Sequence, residues 1–283
     1  MSTEAAGRRA AILLYHRVAE EARDPFRLCV TPTEFDRQMR HLAGLYRVLT
    51  LAELQTGVGI AERPELGVAV TFDDGYLDNL TTASPILLEH GIPATFFLTT
   101  LGLDAPREYW WDAMARSEDL RTDESRDFHQ RVIHSSLSER NSLLGSRASA
   151  WSSPERSDAR PMVEQEVMDL ASRPGHDVGA HTVNHLYLPR QDASVISQEL
   201  LESKRRLESM LRRPIQALAY PFGGVDHAVR QVAEHSGFLS AVTVESRLVR
   251  EGDDPLLLPR VTVPPGVRDF ERFLQDKFAE DQK

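Results

Sequence analysis

Three short segments of this chain gather residue types that hydrolytic chemistry uses. TFDDGY at 71–76 sets two carboxylates side by side at the end of an apolar run. Carboxylates in such a place are costly unless they are paired, protonated or bound to metal. Successive side chains of a strand point to opposite faces, so Asp73 and Asp74 serve one site only if the strand ends between them, and Gly75 permits that turn. Taken alone, the hexapeptide also fits a surface Asp-Gly turn. HTVNH at 181–185 places His181 and His185 four residues apart, and on a helical turn two imidazoles so spaced face the same way, a zinc-chelating arrangement. One carboxylate with two imidazoles makes a three-ligand site that leaves a position open for water. AYPFGG at 219–224 breaks a strand with proline and two glycines. That break either brings main-chain N–H groups up to a ligand as oxyanion donors or simply shapes a turn.

Composition narrows what these segments can do. Of 283 residues, 41% are hydrophobic and 27% charged, enough for one large α/β domain with a real core. The 43 acidic and 33 basic side chains leave a net charge of -10, the wrong sign for gripping a phosphate backbone, so no nucleic acid partner is expected. The single cysteine, Cys29, cannot close an intramolecular disulfide, and no cysteine-based zinc site can form. Any metal must therefore be held by His, Asp or Glu. The first nine residues are polar, and the apolar run Ala10 to Tyr15 is too short for a secretory signal and reads as a buried strand. Nothing approaches the roughly 18 apolar residues that cross a bilayer, so no membrane span and a cytoplasmic location are expected.

The elements that must position these residues alternate along the chain. Short apolar runs predict strands at Ala11 to Tyr15, Val68 to Phe72, Ala94 to Leu98, Asp177 to Ala180, Ala217 to Tyr220 and Ala241 to Val244. Amphipathic stretches between them predict helices, among them Thr33 to Tyr46 and Ala193 to Leu211. Such alternation suits a barrel of parallel strands or an open doubly wound sheet. From about 110 to 160 the rhythm stops and a polar, helical insertion is expected, either surface decoration or a cap over the site.

In their order and separations, TFDDGY, HTVNH and YPFG resemble the three leading motifs of the polysaccharide deacetylases, the family-four carbohydrate esterases that share the chitooligosaccharide-deacetylase homology domain. ILLYHRV at 12–18, TPTEFDRQMRHLAGLYRVLTLAEL at 31–54, GIPATFFL at 91–98 and LPRVTVP at 258–264 extend the resemblance over nearly the whole chain. It implies an α/β fold built as a distorted (β/α) barrel of seven parallel strands, and metal-dependent removal of an acetyl or similar acyl group from the amide nitrogen of an amino sugar. Carried across, it makes Asp74, His181 and His185 the ligands of one divalent ion, with zinc the first choice and cobalt, nickel or manganese the alternatives. Asp73 becomes the general base and the Phe222 amide an oxyanion donor. That division of labour is chemically sound, since one carboxylate on the metal leaves the other free to take a proton.

Two departures stand out. Many members carry an Arg-x-Pro-Tyr third motif, whereas Ala219 holds the arginine's place here; Arg260 is the expected substitute, with an ordinary surface arginine as the alternative. The C-terminal Leu-x-x-His that supplies the family's general acid is also missing. Leu13-Leu14-Tyr15-His16 resembles it moved to the N terminus, as in the circularly permuted poly-N-acetylglucosamine deacetylases, which makes His16 the expected acid and a structural histidine the alternative. Tyr76, Tyr220, Trp110, Trp111 and Asp112 are the expected substrate contacts. The domain plan is a tail at 1–9, one barrel over 10–275 carrying the insertion, and a tail at 276–283. The fold also hosts hydrolases of non-sugar amides of the allantoin or cyclic imide type, the second reading, and an inactive metal- or carbohydrate-binding chain is a third.

Overall fold

The computed structural model describes residues 9–55, 67–104, 107–118, 120–147 and 158–280. Seven parallel strands carry the fold: β1 (Arg9–Tyr15), β2 (Gly67–Phe72), β3 (Ala94–Leu98), β4 (His176–Ala180), β5 (Ala217–Ala219), β6 (Ser240–Val242) and β7 (Val261–Thr262). They stand in the order β7-β1-β2-β3-β4-β5-β6. The gap between β6 and β7 is bridged where Thr243 N donates to Leu258 O at 2.8 Å, so the sheet curls into a distorted barrel.

Each barrel strand is short and apolar because both of its faces are covered; all six residues of β2 are buried. Alternation sorts the side chains into two sets. Tyr15, Val70, Phe72, Phe96 and Leu218 pack outward with the helices, the ring of Phe35 meeting Tyr15 edge-on at 5.2 Å. Ala10, Ile12, Ala69, Phe97, Ala217, Ala219 and Val242 form the inner cluster. Most of these are small because the interior is narrow. At Gly179 even a Cβ would lie 2.4 Å from the Phe97 ring, so glycine leaves room for that large interior side chain.

The first predicted helix lies at Pro32–Leu45, where Thr31 caps it, Glu34 closes the capping box and proline occupies the first turn. The helix Ala193–Leu211 falls where its periodicity placed it. Helices Trp110–Ser117, Asp123–Ile133 and Leu137–Arg147 make up the described part of the insertion; residues 148–157 lie outside the described residues. Their shared core is small: Met114, Phe128 and Val132, with Leu143 and Leu144 packed against it. The chain then returns to the barrel, with Leu77 N donating to Arg160 O at 2.8 Å and Met162 N to Gly75 O at 2.9 Å. Of the C-terminal tail expected at 276–283, residues 281–283 lie outside the described residues and 276–280 are helical instead. Helix Phe270–Glu280 continues through position 276, and Phe278, buried, stacks on Tyr46. Of the N-terminal tail expected at 1–9, residues 1–8 lie outside the described residues and Arg9 already belongs to β1.

Candidate active site

Register brings the chemistry to one end. Tyr15 pairs with Phe72, Leu98 with Ala180, and Ala219 with Val242, so the residues that follow these strands emerge together at the C-terminal rim, the face where barrels of this kind carry their sites. Asp73 continues the ladder by donating its N–H to Tyr15 O at 3.0 Å. Asp74 and Gly75 then adopt φ of +70° and +73°, and this left-handed pair ends the strand and brings both carboxylates to one side.

The two carboxylates meet different partners. Asp73 is gripped by Arg260, Nη1 to Oδ1 at 2.7 Å and Nη2 to Oδ2 at 2.6 Å. Arg260 is completely buried and its Nε donates to Thr243 O at 2.8 Å, which fixes the fork. Burial pushes the Asp73 carboxyl up, but Arg260 and His181 outweigh it and hold the group below the usual carboxylate range. Asp74 Oδ1 lies 3.4 Å from His181 Nε2 and 3.3 Å from His185 Nε2. Burial again opposes ionisation, and the two imidazoles overcome it. The histidines respond differently. At His181 burial acts downward but Asp73 and Asp74 raise the ring overall, whereas at His185 burial prevails and keeps it low.

The HTVNH segment is not a helical turn. It is a loop leaving β4, with Thr182 at φ +65° and His185 at φ +53°. The imidazoles converge because the loop is clamped. Glu199 Oε2 accepts from the amides of Val183 at 3.0 Å and Asn184 at 2.8 Å, Glu199 Oε1 accepts from Asn184 Nδ2 at 2.6 Å, and Thr182 Oγ1 accepts from His185 N at 3.0 Å. From the insertion, Arg140 Nη1 donates to Asn184 O at 2.6 Å and more distantly to His185 O. His181 Nδ1 faces Ala219 O at 2.8 Å. A carbonyl only accepts, so Nδ1 carries the proton and Nε2 presents its lone pair toward Asp74.

Sequence reasoning missed Glu199, Arg140 and Tyr109, whose hydroxyl donates to Asp74 O at 2.6 Å. Glu199 did leave a signal. It falls on the buried stripe of its helix with Ile196, Leu200 and Ser203, where an unpaired carboxylate would not be tolerated.

The third segment forms a single 3-10 turn, Pro221–Gly223, with Phe222 at φ +56°. Its first bonded amide is Gly223 N to Tyr220 O, so the Phe222 N–H has no acceptor within the turn. The Phe222 ring packs 4.6 Å from His185. His16 follows β1, half-buried, its carbonyl held by Asn79 Nδ2 at 2.8 Å. Its field reaches both Asp73 and Asp74.

The aromatic expectations need correcting. Tyr220 is wholly buried in the outer core and donates to Leu256 O at 3.1 Å, so it presents no surface to a substrate. Tyr76 is likewise wholly buried; its hydroxyl donates to Asp112 Oδ2 at 2.7 Å and accepts from Trp111 Nε1 at 2.7 Å. Asp112, pushed up to about 7 chiefly by burial, is thus committed to Tyr76. Trp111 stacks on Tyr109 at 4.3 Å and lies 4.8 Å from His185, walling the site, while Trp110 is only half-buried.

The ligand atoms of Asp74, His181 and His185 all lie within 4.8 Å of one another and all three residues are buried. An ionised carboxylate with two imidazole nitrogens, one of them fixed in its tautomer, is the donor set a borderline divalent cation takes. Asp36, Glu89 and His90 lie equally close together but nearer the surface, with Asp36 already engaged by Arg40 and His90.

Residues 61–241 match the polysaccharide deacetylase family. The chain is 24% identical over 258 residues to YxkH of Bacillus subtilis, a protein named for polysaccharide deacetylation, covering 90% of this chain and 72% of that one. Its fold is similar to that of the Streptococcus pyogenes deacetylase PplD, solved with acetate, at a TM-score of 0.70 and 21% identity over 96% of this chain and 99% of that one. BC0361, a polysaccharide deacetylase from Bacillus cereus, gives a TM-score of 0.66 at 22% identity over 95% of this chain and 69% of that one.

Proposed function

The chain belongs to the polysaccharide deacetylase family, and from that premise we propose that it removes an acetyl or closely related acyl group from the amide nitrogen of an amino sugar or sugar conjugate, using one divalent ion. As a deacetylase it is a hydrolase of carbon–nitrogen bonds other than peptide bonds. The observation that carries the finer reading is the pairing of two unlike carboxylates at one strand end: Asp74 facing two imidazoles, Asp73 held by a buried guanidinium.

Asp74, His181 and His185 would hold the ion, with zinc the first choice for an oxygen and two nitrogens. Bound there, such an ion supplies Lewis acidity, making water a nucleophile near neutral pH and polarising the acyl carbonyl. The remaining work falls to the chain. Asp73, kept ionised by Arg260, takes the proton from the attacking water. The Phe222 N–H donates to the oxygen that gains charge as the carbonyl becomes tetrahedral. His16 gives a proton to the departing amine nitrogen, without which the carbon–nitrogen bond cannot break cleanly. Arg260 supplies Asp73 with the cation that Ala219, in the place of the family's motif arginine, cannot.

Acetate release from N-acetylglucosamine oligomers with added zinc, cobalt or manganese tests this reading. Expected is metal-dependent release that His181→Ala with His185→Ala abolishes together with metal binding. Hydrolytic ring opening of simple cyclic imides, with no acetate released from any N-acetyl sugar, would overturn it in favour of the non-sugar amide class.

A further inference from the structure

Beside His185 the insertion and the barrel enclose a cavity of about 380 Å³. Its walls are largely apolar, with Leu101, Tyr109, Trp110 and Leu144 among them. That volume far exceeds what an acetyl group needs.

Arg140 lines the same cavity and has no obvious reason to be charged there. It is 7% exposed, and only Nη1 is engaged, on the two loop carbonyls already described. Among the described residues Nε has no partner and no carboxylate lies within ion-pair distance of the guanidinium. The nearby carboxylates are occupied. Glu199 spends both oxygens on the loop amides and Asn184, and Glu108, also on the wall, pairs with Arg116 at 2.5 Å. Arg107 adds a second guanidinium at the rim without an ion-pair partner among the described residues. The field of Glu199 reaches the guanidinium without touching it, and a buried cation so placed gains from a closer counter-charge.

We infer that this cavity receives an oxyanion, a carboxylate or a phosphate, carried by the substrate beside the amide to be cleaved, with Arg140 as its reader and the apolar wall covering the linking atoms. The inference rests on the deacetylase reading above. A guanidinium suits the task because it offers parallel donors to two oxygens of one anionic group. Arg140 also braces the loop that carries His185, so the anion would sit against that loop.

Three substrates test it on the metal-loaded protein: neutral tetra-N-acetylchitotetraose, a glycan containing N-acetylmuramic acid for the carboxylate, and UDP-N-acetylglucosamine for the phosphate. Wild type is expected to favour at least one anionic substrate by about tenfold or more in kcat/KM. Arg140→Gln should erase that ratio and Arg140→Lys retain part of it, whereas a merely structural arginine would lower all three substrates alike. Leu144→Glu leaves Arg140 in place and should reduce the same ratio by repelling the anion. A wild type that does not discriminate, or an unchanged ratio in both Arg140→Gln and Leu144→Glu, overturns the inference and leaves the deacetylase reading standing. Absence of turnover on all three substrates overturns both.

Discussion

The strand-end loops and the insertion helices meet at His185, yet they are held by different physics. Among the described residues, four of the six non-glycine positions with positive φ belong to the loops: Asp74, Thr182, His185 and Phe222. Strained backbone persists only where its surroundings over-determine it, and here a closed barrel, the Glu199 clamp and the Arg260 fork supply the constraint. The insertion contains no such residues among those described. It rests on a three-residue core and on ion pairs such as Arg147 with Glu118, part of the cheap and adjustable class of interactions. The contrast teaches a division of roles: the barrel fixes the side chains of Asp73, Asp74, His181 and His185, while the insertion supplies walls and the buried guanidinium of Arg140.

The sharpest way to break that contrast is to compare kcat and KM. Asp73→Asn is expected to lower kcat by about 10²- to 10⁴-fold while retaining bound metal, as read by metal analysis. Trp110→Ala, on the insertion side, should act chiefly on KM. Comparable losses of kcat in the two variants would erase the distinction. Next in size is the buried fork. Arg260→Ala leaves Asp73 charged and unpaired inside the barrel, with an expected stability loss of about 3 to 5 kcal/mol in urea unfolding. A loss below about 1 kcal/mol would show that water reaches Asp73 and that the pair is not a structural anchor.

A smaller effect belongs to the clamp. Glu199→Ala orphans the amides of Val183 and Asn184 and should cost about 1 to 3 kcal/mol, with metal affinity reduced about 10- to 100-fold in a chelator titration. Phe128→Ala, in the insertion core, should instead remove hydrogen-exchange protection across 110–147 while the barrel strands keep theirs. Equal loss of protection in both regions would make them one cooperative unit.

A pH-dependent effect lies in the barrel itself. His176, buried against Ser84 Oγ at 2.7 Å, is lowered to about 4, by burial first and by Arg173 second. The folded chain therefore resists protonation that the unfolded chain accepts near pH 6.5, so stability present above that value is lost as pH falls toward 4. His176→Asn should flatten the dependence of the urea midpoint between pH 7 and 4.5; an unchanged slope would assign it to other groups.

Most of the frame was legible because strand signals are local. The six predicted strands correspond to β1 through β6, and the resemblance carried the rest of the fold. β7, two residues long, was not identifiable from periodicity. The site was legible where a motif concentrates its chemistry, as at Asp73 and Asp74. It was less so where distant elements cooperate. HTVNH looked helical because spacing alone cannot reveal that Glu199, on another element, pays the loop's unsatisfied amides. Tyr76 and Tyr220 were misjudged because a phenol within a motif can face inward as easily as outward, and only packing decides.

The fork between Asp73 and Arg260 spans 187 residues of sequence. Arg260 follows Asp73, Asp74, His181 and His185 in the chain, so the Asp73 carboxylate gains its counter-charge only when the strand after Arg260 closes against β1. Sealing the barrel and neutralising that buried charge are therefore one event.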